Sequence, residues 1–310
     1  MQQPLIHLGY QKTASTFLQR EVFSNARVFH APWGAQSALA IEHFHLCHPA
    51  RFDPAIIRAS VDTPDGLVPV ISHEDLLGYP VHGRYYAQAT VRRIAETFPD
   101  ARILICIREQ NSMLFSNYLQ YIRQGGTKTL TDMLGANSGR PGFRPMFRLD
   151  HFEYDLTHAL LSEHFAEDRI LVLPLETLRA DLAGFMQRLG AFVGSDLSDV
   201  APHKTVNAHR GAPAVLLERF LNRFTPDPAS LPERYAEYPL GIRLRNRVVR
   251  WTDRLIRLPS VDRRIFQRLE AEIDAHVGPY FAQSNARMAA ITGLPLSDYG
   301  YRVAPQIGGR

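Results

Sequence analysis

The chain has 310 residues, 45% of them apolar and 21% charged, with a formal net charge of +4. This balance excludes a disordered chain and is too mild to mark a nucleic-acid binder. Two cysteines, Cys47 and Cys106, cannot form a disulfide framework, and no basic-then-apolar leader or apolar run of about eighteen residues occurs, so a cytoplasmic protein is expected.

Leu5 to Leu8 reads as a short apolar strand that turns at Gly9 and continues as a helix from Ala14 to Phe23. The first N–H groups of a helix lack internal partners, and the helix dipole adds about half a positive charge there. Lys12 supplies a full charge, and Thr13, Ser15 and Thr16 supply hydroxyl donors. Gly9, Gln11, Lys12, Thr13, Ala14, Ser15 and Thr16 are therefore candidate contacts to a phosphate-like group. The run is not a Walker A loop, because no second glycine precedes Lys12.

Ser37 to Cys47 is predicted helical, and Asp53-Pro54 is a helix start with proline at the first helical position. His43, His45, Cys47 and His48 are metal-ligand types, but no matching ligand pair follows, so a packed or substrate-facing helix is expected and no metal. Leu67 to Ser72 forms a second strand, ending in Ser72-His73-Glu74-Asp75-Leu76. A helix from Arg84 to Phe98 leads to the strand Arg102 to Ile107, whose near-continuous apolar run suits burial on both faces. Arg108 stands at its carboxyl end, before a helix from Asn111 to Arg123 and a Gly-, Pro- and Arg-rich loop over 124–145. Phe152 to Phe165 reads as a helix, Arg169 to Leu173 as a fourth strand and Asp181 to Val193 as a helix.

This alternation predicts an α/β fold, a parallel sheet flanked by helices in three layers. Ligands in such sheets bind beyond the carboxyl ends of the strands, where Gly9, Ser72 to Glu74 and Arg108 all fall. The loop 203–210 adds polar donors with little to bury, Asn207 and Arg210 among them. Beyond it a helical extension over 212–310 is expected to pack on the core of residues 1–211. Leu244, Val248, Trp251, Leu255 and Leu258 form an apolar stripe at helical spacing there, and Arg243, Arg247, Arg250, Arg254 and Arg257 repeat the spacing on another face. The plain expectation is a stripe packed inward with the arginines solvated. The sharper alternatives are an anionic saccharide groove or contact with an acidic membrane surface.

Gly9-x-x-Lys12-Thr13-Ala14-Ser15-Thr16, followed by Leu18-Gln19, resembles the 5′-phosphosulfate loop of sulfotransferases that use 3′-phosphoadenosine 5′-phosphosulfate (PAPS). The run from Arg108 to Ser116 resembles their 3′-phosphate motif, a strand-end arginine with a serine eight residues later. Phe165 to Leu178 with Phe192-Val193-Gly194 is similar to their later strand–helix unit, so the resemblance spans about residues 4–211. It fades afterwards to Ser284-Asn285 and Asp298-Tyr299-Gly300-Tyr301. The resemblance implies a PAPS sulfotransferase with a P-loop-kinase-like core, working without metal and releasing 3′,5′-adenosine bisphosphate (PAP). Its acceptor would be a small-molecule or saccharide hydroxyl, with a carbohydrate or glycolipid favoured. Ser72-His73-Glu74 resembles a Ser-x-Glu strand end of bacterial members, which favours Glu74 over His73 as the base and leaves Lys12 to stabilise the leaving oxygen. A small-nucleotide kinase is the first rival, but Arg108 stands where it would place a magnesium-binding aspartate. A non-catalytic nucleotide- or polysaccharide-binding protein is the second.

Overall fold

The computed structural model describes residues 3–135, 147–199, 210–224, 239–256 and 258–305. Its centre is a five-stranded, all-parallel sheet in the order β2-β3-β1-β4-β5, built from β1 (Leu5–His7), β2 (Phe29–His30), β3 (Val68–Ser72), β4 (Arg102–Ile107) and β5 (Ile170–Pro174). The parallel sheet and its flanking helices are those expected from the sequence. The edge strand β2 is an addition, since two residues are too few to leave a periodic signal.

The apolar runs make the sheet three-layered because both of its faces are covered. On one side Ile6, Ile71, Ile103 and Ile105 join a core completed by helices Ala87–Thr97, Gln110–Arg123 and Tyr154–Ser162. On the other, Leu5, Val70, Leu104 and Cys106 meet the helix Leu182–Val193 through Phe185 and Leu189. Each fully buried Leu or Ile contributes about 2 kcal/mol of hydrophobic stabilisation, so alternate residues of β4 stabilise opposite layers. The C-terminal helices Pro259–Val277 and Ala282–Thr292 enter the first layer with Ile273, Val277 and Met288.

Local signals act as their chemistry requires. Asp53 Oδ1 accepts from the N–H groups of Ala55 and Ile56 and starts the helix Pro54–Ala59. Glu109 caps Gln110–Arg123 through Asn111 and Ser112 N–H. The histidines of the 43–48 region serve separately. His45 Nε2 bonds Leu76 O at 3.0 Å, His48 Nδ1 accepts from Ala50 N, and His43 sits against Trp33.

One sequence expectation is reversed. Leu244, Val248, Trp251 and Leu255 do not pack inward: the helix Pro239–Leu255 buries Ile242, Arg245 and Val249 instead. Its inward side is held by Arg245 Nη1, which donates to Asn222 Oδ1 at 2.8 Å, and by Asp253, which accepts from Gly211 N at 2.7 Å. Arg257 and the loop 203–209, including Asn207, lie outside the described residues, as does most of the second half of the loop predicted over 124–145.

Candidate active site

The site lies beyond the carboxyl ends of β1, β3 and β4. Parallel register aligns these ends: His7 pairs with Ser72 of β3 and with Leu104 of β4. The chain then leaves β1 through Gly9, whose φ of +105° is open to glycine but strained for other residues. A Cβ at Gly9 would stand 2.5 Å from the carbonyl oxygen of Glu74, so the β1 loop and the β3 end touch backbone to backbone.

Tyr10 closes the first turn. Its N–H donates to Cys106 O at 3.0 Å, and its hydroxyl bonds Thr157 at 2.6 Å. Its carbonyl accepts from the hydroxyls of Thr13 and Ser15. Those two hydroxyls, read from sequence as ligand donors, are thus turned into the loop. The Gln11 amide is similarly engaged, donating to Asp75 Oδ1 at 2.8 Å and to Gly78 O at 2.6 Å.

The backbone is what remains free. Lys12 and Ala14 have φ of 64° and 72°, the left-handed region, without being glycines. A left-handed residue beside a right-handed one can turn successive N–H groups toward one point, the concave arrangement, or nest, that binds anions. Among the described residues, none of the N–H groups from Gln11 to Thr16 donates to a protein acceptor. Left-handed non-glycine residues cost on the order of 1–3 kcal/mol each and concentrate at functional sites. The helix that follows is one α-turn, Ser15–Phe17, widening into Leu18–Val22.

At the end of β4, Arg108 is buried with 8% of its surface exposed. Glu109 makes no ion pair with it among the described residues, its carboxylate being bonded in the helix cap. Arg108 Nη1 donates to Lys12 O at 3.4 Å, joining the two strand ends, while its Nε is buried without a partner among the described residues. Burial is the main force pressing its pKa down and Arg179 adds to it, while Glu176, Tyr154 and Glu109 oppose; a guanidinium remains charged all the same. Tyr154 donates to Arg108 O at 2.7 Å, and Glu176 holds Glu109 N and the hydroxyl of Tyr301, both at 3.1 Å. A buried cation with an orphan N–H is costly, and an anion bonded to that N–H would relieve it. Ser116 is buried on the next helix, two turns on from Arg108.

Positive charge gathers further. Desolvation lowers the pKa of the exposed Lys12 most, then Arg123 and Arg108, against the pull of Glu74. Arg123 and Arg179, the additional cations, carried no sequence signal because each ends a helix as an ordinary exposed arginine. Arg210, predicted to touch nucleotide, is ion-paired with the buried Glu218.

Glu74 and His73, the two candidate bases, differ in state. Desolvation and then Asp75 push the Glu74 carboxyl above the usual range, while Lys12 and a bond from Gln19 pull it down. Burial lowers the His73 pKa, with Asp75 opposing. Its Nδ1 accepts from Asp75 N at 3.1 Å, so the neutral ring carries its proton on Nε2. Behind them, His7 is fully buried and pushed down to about 3 by desolvation and His73, and its Nδ1 bonds Ser72 Oγ at 2.8 Å. A cavity of about 280 Å³ adjoins His73 and Asp75 and is lined also by His45, Tyr79, Arg84 and Tyr86.

No protein-family model matches the chain, and no curated protein matches it in sequence. Its structure superimposes on the crystal structure of a sulfotransferase from Alicyclobacillus acidocaldarius with a TM-score of 0.55 and 16% identity, covering 97% of this chain and 99% of that one. Two other alignments score lower. The sulfotransferase domain of the Synechococcus PCC 7002 olefin synthase aligns over 88% of this chain and 95% of its own, at 11% identity and a TM-score of 0.39. That of the curacin biosynthetic pathway aligns over 88% and 98%, at 10% identity and a TM-score of 0.41. The likeness of fold rests on the first.

Proposed function

We propose that this chain, which has the fold of a sulfotransferase, transfers a sulfuryl group from PAPS to an acceptor hydroxyl. The observation that carries the reading is a pair of candidate anion grips on adjacent strands: the left-handed backbone at Lys12 and Ala14, and the buried Arg108, bonded to the carbonyl of Lys12 and with its Nε unpartnered among the described residues. Two such grips suit a nucleotide with phosphates at both its 5′ and 3′ positions.

PAPS supplies the activated sulfuryl group. The N–H groups of Lys12 to Thr16 and the Lys12 ammonium would hold the 5′ end and stabilise charge growing on the leaving oxygen. Arg108 would grip the 3′-phosphate through two parallel N–H bonds, assisted by Ser116. Glu74 would take the acceptor proton. Its raised pKa makes it a stronger base than an exposed carboxylate, and the Nε2 proton of His73 leaves that ring no free lone pair to serve. The cavity beside His73 pairs aromatic faces with polar groups, with the His45 and Tyr86 ring centroids 4.9 Å apart, and so favours a saccharide hydroxyl, free or on a glycolipid, as acceptor.

The test is turnover. Incubation with PAPS and a panel of saccharides and glycolipids should release PAP in step with acceptor that gains one sulfuryl group. Binding of PAP with no transfer to any class of hydroxyl, phenol or amine would leave a nucleotide-binding protein instead.

A further inference from the structure

The helix Pro239–Leu255 has two opposed characters. Toward the protein it sets Ile242, Arg245, Val249 and the bonded Asp253. At 100° per residue, Leu240, Leu244, Val248, Trp251 and Leu255 lie on the opposite side in a stripe about 22 Å long. Leu240 is 77% exposed, Trp251 62% and Leu255 76%. Isolated surface leucines are ordinary, but a continuous apolar ridge is not.

Arg243, Arg247, Arg250 and Arg254 run along one flank of this ridge at the same helical spacing. None pairs with a carboxylate among the described residues, and Asp253, the helix's single acid, faces inward. The geometry points to docking of this face on an anionic membrane surface, with the helix lying in the plane of the interface. Such a surface accepts both halves of the face. Leucines and the tryptophan enter the headgroup–acyl boundary while the arginines meet lipid phosphates. A polysaccharide would engage the arginines and leave the ridge in water. A second copy docked antiparallel would cover the ridge but bring two arginine rows together, and one docked parallel would leave both rows without acidic partners from this helix. The inference is independent of the reading of the strand-end site.

The chain has two tryptophans, and Trp33 is already buried, so a change in emission on binding reports Trp251. With the full chain, vesicles of phosphatidylcholine mixed with phosphatidylglycerol should shift the emission to the blue and co-sediment the protein. Vesicles of phosphatidylcholine alone should bind about tenfold more weakly or worse. Leu244→Ser with Leu255→Ser should abolish both signals, while Arg247→Gln with Arg254→Gln should weaken binding to mixed vesicles about tenfold or more and lift its salt dependence. All four positions are exposed, so the fold should survive, as far-ultraviolet dichroism would verify. Any of three results would overturn the inference: no binding to mixed vesicles, binding with no blue shift and no loss in the leucine variant, or a stable dimer in solution dispersed by Leu244→Ser. Binding to a polyanionic saccharide but not to vesicles would count equally against it.

Discussion

The carboxyl ends of β1 and β4 lie side by side and both present positive charge, yet they are built differently. At β1 the proposed grip is backbone: Lys12 and Ala14 are left-handed, the N–H groups from Gln11 to Thr16 bond no protein acceptor among the described residues, and the loop's side chains mostly brace it. At β4 the proposed grip is a single side chain, a buried guanidinium whose Nε has no partner among the described residues. A backbone grip tolerates changes of side chain but not of local geometry. A side-chain grip is lost with one residue. The backbone of Glu74, the proposed base, lies against Gly9 on the β1 side.

The largest expected effect tests that division. Glu74→Gln should lower turnover by roughly 10²–10⁴-fold while leaving PAP affinity nearly unchanged, measured by PAP release beside a separate titration. Turnover of the unaltered chain should rise with pH through a Glu74 pKa above that of an exposed glutamate. The sign for stability is opposite. The folded state binds this proton more tightly than the unfolded chain, so the contribution is full at acid pH and is lost as pH rises through the folded pKa. Glu74→Gln should therefore melt slightly higher than the parent at neutral pH. His73→Ala should be mild; if it were inactive while Glu74→Gln turned over normally, the role would pass to His73.

Gly9→Ala should come next. A methyl group there meets the Glu74 carbonyl in a conformation strained for alanine, costing roughly 2–4 kcal/mol in denaturant unfolding and loosening nucleotide binding. Normal stability and affinity in this variant would mean the nest does not depend on that backbone contact.

On the β4 side, Arg108→Ala should cost about 2–3 kcal/mol of PAP affinity in calorimetry without destabilising the fold. Lys12→Ala should differ by losing affinity and turnover together, since in the proposed function Lys12 would touch the donor before and during transfer. The smallest effect is that of Ser116→Ala, about 1 kcal/mol of affinity, from the loss of one neutral donor. An Arg108→Ala protein with unaltered affinity and lowered stability would make Arg108 a structural cation and remove the second grip.

How far the sequence reached depended on the kind of signal. β4 reads directly from Arg102 to Ile107 because burial on both faces leaves a run that no solvent-facing element imitates. Gly9 and Arg108 were legible as a turn and a strand-end charge. The left-handed Lys12 and Ala14 were not, since neither is a residue type that advertises positive φ. Nor could composition show that Glu109 would spend its carboxylate on a helix cap rather than on an ion pair with Arg108. On the helix Pro239–Leu255 the periodicity correctly grouped Leu244, Val248, Trp251 and Leu255 on one face, but spacing says which residues share a face and not what that face meets. The inward side was set by Ile242 and Val249 together with polar anchors at Arg245 and Asp253, which a hydrophobic count passes over.

The proposed function requires that the two grips together hold a nucleotide with separate 5′ and 3′ phosphates. Calorimetric titration of the chain with PAP and with ATP, each with a chelator and with magnesium, tests it most directly. PAP should bind without metal and at least about tenfold more tightly than ATP, a difference of about 1.4 kcal/mol. Equal affinity for the two nucleotides, or PAP binding that requires magnesium, would contradict it.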